Sequence, residues 1–302
     1  MGFVGGVGTT NIDMLYSGID HLPVPGEEVF SRRFGIYLGG GIPATLVNLQ
    51  RLGVETRIMT FLGRDFFSDF ARREFQAVGA QVVNLYDGPE IPVVLSSTMV
   101  CDGDRAFMSY VYRPDVTDEM LRKMRDALAG ADVVLMQDEP GLLELYRGLK
   151  ADGVRLIFDT GWTEDLCFEK YGAYLELADY YLPNRREALK ITGCDTPARA
   201  AEALERWLPC PVVKLDCEGC LVRIDGRNII VPPVPGVHAV DTTGAGDAFM
   251  AGFIFGIARG YPLEQCVQFG NITGAACVQA AGCLTNFVTE EQLLEQRAAV
   301  YG

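Results

Sequence analysis

Residues 238–260 read HAVDTTGAGDAFMAGFIFGIARG. Three physical demands follow one another here: a strand-like approach ending at Asp241, a glycine-rich turn, and an apolar run in which Ala248, Phe249, Gly252, Phe253 and Gly256 recur at helical spacing. The spacing predicts that the turn sits at a helix N-terminus. Backbone N–H groups of Gly244, Ala245 and Gly246 then lack intrahelical partners and point at an anion, with the positive end of the helix dipole behind them. Small residues are needed because a side chain would keep a phosphate away from the backbone, and glycine also permits positive φ. Asp247 follows directly and puts an acid into a pocket built for anions. That is unfavourable unless the carboxylate has chemistry to do, and taking a proton from an attacking hydroxyl is such chemistry. Taken alone, the same residues also fit a plain strand-to-helix turn with Asp247 as a dipole-favoured first-turn carboxylate. The rest of the chain has to decide.

From about residue 130 onward, short β-rich runs alternate with helical patterns: DVVLM at 132–136, VRLIFD at 154–159, DYYLP at 179–183 and PVVKL at 211–215. Such alternation predicts βαβ units and a mostly parallel sheet. An earlier helix is expected after Asp65, with Phe67, Phe70, Ala71, Phe75 and Val78 on one face and Gly79 ending it. Two regions, about 14–38 and 90–113, break the rhythm and read as extended: EEVFSRRFGIYL, then IPVVLSSTMV and RAFMSYVYR around a CDGD turn. They predict a small sheet, either a lid over the site or an added edge of the main sheet. No repeat, low-complexity run or long linker divides the chain, so residues 1–302 are read as one domain.

Composition narrows the function classes. At 49% hydrophobic and 22% charged, the chain has the apolar material for a sizeable core. A net charge of −14 without a basic stripe argues against nucleic-acid or anionic-membrane partners. Any phosphate site must therefore rely on backbone N–H groups and Mg²⁺. Nine cysteines, with neither a basic n-region nor a long apolar stretch in MGFVGGVGTTNID, read as reduced thiols of a cytoplasmic protein. Residues 265–289 carry no formal charge, but Gln268, Asn271, Thr273, Gln279, Thr285 and Asn286 interrupt them, so a buried helix and its following loop is expected rather than a membrane span. The C-x-x-C of Cys217 and Cys220 has no second pair, and the histidines are only His21 and His238; chance spacing is the reading adopted over zinc or redox chemistry. There is no G-x-S-x-G elbow, Walker A loop or paired dinucleotide fingerprint.

The DTTGAGD turn with its apolar helix resembles the C-terminal signature of the ribokinase-like sugar kinases, the phosphofructokinase B (PfkB) family. Other pieces match in order along nearly the whole chain. Gly39-Gly40 with a helix ending at Arg51-Leu52-Gly53 resembles the N-terminal glycine signature, Asn184-Arg185-Arg186-Glu187 the N-x-x-E element, and Asn11-Ile12-Asp13 the early substrate-binding element. Alone, the N-x-x-E residues are also a helix cap with a first-turn Glu, and Asp13 is a turn residue.

The resemblance implies a three-layer α/β/α fold with a mostly parallel central sheet and a small β lid. It further implies an ATP-dependent kinase that transfers the γ-phosphoryl group to a hydroxyl of a monosaccharide or sugar acid. Asp247 is then the base, and Gly244, Ala245 and Gly246 form the anion hole. Asn11, Asp13, Gly39 and Gly40 hold substrate; Lys214, Glu218, Gly219, Thr242, Thr243 and Asn271, with Asn184, hold ATP. Asn184 and Glu187 serve Mg²⁺ through water, and Asp241 is a candidate K⁺ position. Two positions depart from the family pattern: Asp216 stands where a Gly is usual, and Ala44 where many relatives carry a sugar-contacting Asn. Either Thr45 or Asn48 compensates for Ala44, or the substrate is a less usual one. Arg113 follows a lid-like strand, where ketodeoxygluconate kinases use a Tyr/Arg-rich segment, so it is either a clamp for an acidic sugar or a solvated strand residue. Two other readings stay open: a nucleoside kinase whose base slot is made by Phe and Tyr of 90–113, and a non-catalytic sensor. Family analogy also implies a homodimer through the lid strands.

Overall fold

The computed structural model describes residues 2–101 and 104–302; residues 102 and 103 of the expected CDGD turn lie outside the described residues. The chain opens with the fully buried β1 (Phe3–Val7), then leaves the core for β2 (Asn11–Ser17) and β3 (Arg33–Gly39). It returns through α1 (Gly41–Arg51), β4 (Thr56–Thr60), α2 (Phe66–Ala77) and β5 (Gln81–Asn84). A second excursion forms β6 (Val94–Cys101) and β7 (Asp104–Tyr110). Core units follow as α3 (Asp118–Leu128), β8 (Ala131–Met136), α4 (Leu143–Ala151), β9 (Arg155–Phe158), α5 (Phe168–Leu175), β10 (Tyr180–Tyr181), α6 (Arg185–Thr192) and α7 (Pro197–Leu204). The chain ends with β11 (Val212–Lys214), β12 (Cys220–Ile224), β13 (Arg227–Val231), α8 (Ala245–Arg259), α9 (Leu263–Cys277) and α10 (Glu290–Tyr301).

Strands β10-β9-β8-β1-β4-β5 form one sheet, and every pairing in it is parallel. Strand residues alternate between two apolar clusters: Val4, Ile58, Val133 and Ile157 pack with α1, α2, α8, α9 and α10, whereas Phe3, Met59, Val134 and Phe158 pack with α3 to α7. Both faces are thus covered, which is why these strands read as nearly continuous apolar runs. At β1 the strand order reverses direction, with β4 on one side and β8 on the other. Open α/β sheets bind ligands beyond the carboxyl ends of the strands at such a point.

The two excursions make a separate four-stranded sheet, order β3-β2-β6-β7, with β2 and β6 parallel and the outer pairs antiparallel. The expected small sheet exists, and it is not paired as an edge of the main sheet. Asp13 lies within β2 rather than in a turn, and of EEVFSRRFGIYL only the portion from Arg33 is strand, residues 18–32 being loop, bend and turn. Asp65 caps α2 by accepting from Phe67 N and Ser68 N, and Gly79 leaves the helix at φ 68°, as expected. The uncharged run at 265–289 is the buried part of α9 and the loop after it, and no helix among the described residues is long and apolar enough to cross a membrane.

Two strand expectations are corrected. PVVKL does contain β11, but it pairs antiparallel with β12 and meets the parallel sheet only through a bridge between Asn184 and Lys214. HAVD at 238–241 is not a strand: Val240 N and Asp241 N both donate to the single carbonyl of Val278, at 2.7 and 3.2 Å, so no ladder can form.

Candidate active site

The turn at 241–246 delivers α8 to the carboxyl end of the sheet. Gly244 stands at the helix N-cap with φ 75°, and a Cβ there would run into the Cβ of Cys283. Glycine is therefore required twice, by conformation and by space. Ala245 N closes the turn onto Thr242 O at 3.3 Å, so this donor is already shared, whereas Gly246 N belongs to the first turn and has no intrahelical acceptor. Asp241 organises the turn: its Oδ1 accepts from Thr243 N at 3.0 Å and Thr243 Oγ1 at 2.8 Å, and its Oδ2 accepts from Gly282 N at 3.1 Å.

Asp247 occupies the third helical position, opposite the start of α1. A methyl group on Gly41 would lie 3.5 Å from Asp247 Oδ1, and Thr45 Oγ1 donates to Gly41 O at 2.9 Å and Asp247 O at 3.2 Å. The two glycine signatures are thereby fastened together across 202 residues of sequence. Burial pushes the Asp247 carboxyl up to about 7; the charge of Asp159 adds to this, Lys214 opposes it, and Asp13 adds the remainder. Asp13 is itself raised to about 6, by burial and then by Asp241. Gly39 leaves space for it, since a methyl group there would stand 2.6 Å from Asp13 Oδ2.

Two cavities meet at the N-terminus of α8. The first, about 620 Å³, lies between the parallel sheet and the small sheet and is lined by Asn11, Ser96, Ser109, Arg113, Gln137, Asp138, Asp159, Thr160, Gly244 and Asp247, among others. The second, about 780 Å³, lies on the other side of the turn and is lined by Asp216, Gly219, Pro233, Val234, Val237, Thr242, Phe249, Asn271 and Val278, among others. Asn184, Lys214 and Gly246 line both. The two cavities therefore adjoin at Asn184, Lys214 and Gly246, and Asp247, the residue after Gly246, lines the first.

Of the residues singled out in the sequence, Asn11, Arg113, Asn184, Glu187, Lys214, Gly244, Gly246 and Asp247 line the first cavity; Asn184, Lys214, Gly219, Thr242, Ala245, Gly246 and Asn271 line the second. Asp13, Gly39, Gly40, Thr45, Asn48, Asp241 and Thr243 line neither cavity. Thr45 and Asn48 are buried, and the Thr45 hydroxyl is engaged by the two carbonyls described above. Glu218 lines neither cavity; it pairs with Arg185 at 2.8 Å on the surface. Asn184 caps α6 in a reciprocal box with Glu187, whose Oε2 accepts from Asn184 N at 2.8 Å and whose Oε1 accepts from Asn184 Nδ2 at 2.7 Å. Burial, followed by the charge of Asp159, raises the Glu187 carboxyl against the pull of Lys214.

Sequence reasoning missed Asp159, Gln137 and Asp138, which leave the carboxyl ends of β9 and β8, and the Ser96–Ser109 hydroxyl pair of the small sheet, 3.0 Å apart. The available signal was their place: polar residues directly after apolar core strands, where such sheets bind ligands.

A parallel α/β sheet with a glycine turn at a helix N-terminus, an adjacent carboxylate and two adjoining cavities has room for two small molecules side by side. The pfkB family carbohydrate kinase model matches residues 6–290, so the chain belongs to that family of kinases, which phosphorylate alcohol groups. An uncharacterized sugar kinase of Archaeoglobus fulgidus is 39% identical over 102 residues, 34% of this chain and 40% of that protein. The nucleoside kinase of Methanocaldococcus jannaschii is 22% identical over 96% of this chain and 95% of its own. The Arabidopsis thaliana ribokinase structure, complexed with ribose and ATP, superimposes with a TM-score of 0.82 at 23% identity, covering 98% of both chains.

Proposed function

We propose that this kinase transfers the γ-phosphoryl group of ATP to a hydroxyl of a small sugar or sugar acid, with Asp247 as the base. The observation that carries the reading is the position of Asp247 in the wall of the first cavity, directly after Gly246, which lines both cavities, and with its carboxyl raised to about 7. A base with a pKa near neutrality combines a large deprotonated fraction with strong driving force for proton capture. The second cavity suits the nucleotide: Pro233, Val234, Val237, Phe249 and Val278 offer apolar surface to a base, and Lys214, Asn184 and Gly246 face phosphate at the other end. The phosphoryl group then lies over the N-terminus of α8, and Asp247 draws the proton from the hydroxyl that attacks it.

The donor set fits Mg²⁺. Asn184 and Glu187 would supply hard oxygen atoms beside Gly246, and a dication would relieve the repulsion that raises the Glu187 carboxyl there. Each Glu187 oxygen accepts one hydrogen bond from Asn184 and keeps a lone pair, so Glu187 would hold the ion or a water bound to it. Bound Mg²⁺ supplies charge neutralisation between the phosphates. The small sheet serves as the lid, since Ser96, Ser109 and Arg113 face the first cavity from it and from the segment that follows it, and closure excludes water that would hydrolyse ATP. Its outer strand leaves Phe107 exposed on the Ser109 side and Met108 and Tyr110 exposed on the other, and we assign this strand edge to a homodimer contact testable by light scattering.

Substrate chemistry follows from the first cavity's walls. Among the described residues that line it there is no aromatic ring: Phe107 and Tyr110 are exposed, and Tyr112 packs against Tyr86 with ring centroids 6.1 Å apart. A nucleoside base has no stacking partner there, which favours sugars over nucleosides. Arg113, with the serine pair, Gln137 and Asn11, suits a polyhydroxylated compound bearing an acid group. The test is Mg-ATP turnover by wild type and Asp247→Ala over ribose, fructose, ketodeoxygluconate, polyols and nucleosides. Substrate-dependent turnover abolished by the substitution supports the reading; turnover that survives it removes Asp247 from the role of base, and ATP binding with a silent panel makes the protein a sensor.

A further inference from the structure

Lys214 and Asp159 form a pair that the glycine turn and the N-x-x-E cap do not account for. Lys214 Nζ lies 3.2 Å from Asp159 Oδ2, and both side chains are largely withdrawn from solvent, at 13% and 19% exposure. Lys214 ends β11, where its backbone bridges to Asn184, and Asp159 is the first residue beyond β9. The ammonium also stands at the anion cradle: a methyl group on Gly246 would lie 3.2 Å from Lys214 Nζ. One cation thus lies between the strand end that holds it and the turn where phosphate is expected, in the wall shared by both cavities.

A lysine carries its charge on a flexible four-carbon stem, so its ammonium must be held to act at one place. Two other carboxylates, Glu187 and Asp247, line the same cavity and compete for it. Resting on the kinase reading above, the geometry points to Asp159 as a positioning residue: it tethers the Lys214 ammonium beside Gly246, so that Lys214 meets the transferring phosphoryl oxygens rather than collapsing onto the base. Lys214 touches the reacting group, and Asp159 acts through it. The pair thereby separates the base from the cation that would otherwise neutralise it. Because Glu187 and Asp247 still compensate Lys214 when Asp159 is neutralised, the substitution Asp159→Asn keeps a folded protein.

The test is a double-mutant cycle of Asp159→Asn and Lys214→Met on kcat and KM, with whichever substrate of the panel turns over best. A misplaced contact of this kind costs about 10- to 100-fold in rate, so Asp159→Asn should lower kcat by about that factor and leave the sugar KM within about threefold. In the Lys214→Met background the same change should cost less than about threefold, because residues acting through one another are not additive. A second readout is the ¹H–¹⁵N signal of the protected Lys214 ammonium, assigned by its loss in Lys214→Met, which Asp159→Asn should shift or exchange-broaden. Additive losses in the cycle, an unchanged ammonium signal, or a kcat within twofold of wild type each overturn the tether. A wild type inactive on the whole panel refutes the kinase reading instead; the ammonium signal still reports the tether, so the two failures are told apart.

Discussion

Replacing Asp247 by Asn should make the protein more stable and nearly inactive at the same time. The folded chain raises this carboxyl from 3.8 to about 7, first through burial and then through Asp159. Between those values the folded state binds a proton that the unfolded chain has released, so stability falls as pH rises through this window and is lowest, as far as this group is concerned, above pH 7. At about 1.4 kcal/mol for each pH unit, keeping the carboxylate charged at pH 8 costs the fold about 4 kcal/mol. An amide of the same shape carries no such cost. With an unfolding entropy of about 2 cal/mol/K per residue, the gain corresponds to a melting temperature higher by about 6 °C. The advantage should shrink to less than half by pH 5, because the wild-type group is then protonated in the fold as well. Thermal unfolding of both proteins at pH 8 and pH 5, beside initial rates at pH 8, measures both effects; kcat should fall by about 10²- to 10⁴-fold. An Asn variant no more stable than wild type at pH 8, or a gain that does not change with pH, would show that Asp247 is not strained by its site, and a kcat within tenfold would remove it from catalysis.

The same carboxyl sets a pH limb for the reaction: the base must be deprotonated, so kcat/KM should fall about tenfold per pH unit on going below about 7, and a profile flat down to pH 5 would assign the proton to another group. Arg113→Ala should raise the KM of a sugar acid by about 10- to 100-fold, the worth of a hydrogen bond to a charged partner, while leaving a neutral sugar unchanged; equal effects on both substrates would deny Arg113 the acid group. Asn184→Ala removes the side-chain donor to Glu187 Oε1 and the side-chain cap of α6, while the backbone N–H of residue 184 still reaches Oε2, and should cost about 1 kcal/mol in urea unfolding; a neutral result would mean that solvent or a neighbouring group satisfies Glu187 Oε1 as well.

What the sequence revealed and what it hid divides along the range of the interactions. The glycine turn, the capped helix after Asp65 and the apolar strands are fixed by demands within a few residues, such as positive φ at Gly244 or burial on both faces of β8, and each was legible. HAVD looked like a strand because its residues suit one, but only the position of Val278 decides whether acceptors exist, and there is one acceptor for two donors. The lid aromatics read as plausible walls for a base; in the fold Tyr112 packs against Tyr86, Phe107 and Tyr110 are exposed, and none of the three lines the first cavity. Asp159 stands directly after an apolar strand, but that local pattern does not name its partner, which lies 55 residues away.

Thr45 shows how the same limit bears on substrate recognition. With Ala44 in place of an expected Asn, the nearest polar side chains in sequence were natural substitutes for a sugar contact. In the fold, Thr45 is fully buried and its single hydroxyl proton is directed at Gly41 O and Asp247 O. A hydroxyl committed to two backbone carbonyls has no donor left for a ligand. Among the polar side chains that line the first cavity from the small sheet and the strand ends are Asn11, Ser96, Ser109, Gln137 and Arg113, whereas Thr45 and Asn48 line neither cavity. Substitutions at Ser109 or Gln137 should therefore alter kcat/KM across a panel of sugars more than any at Thr45, and the reverse order would return recognition to α1.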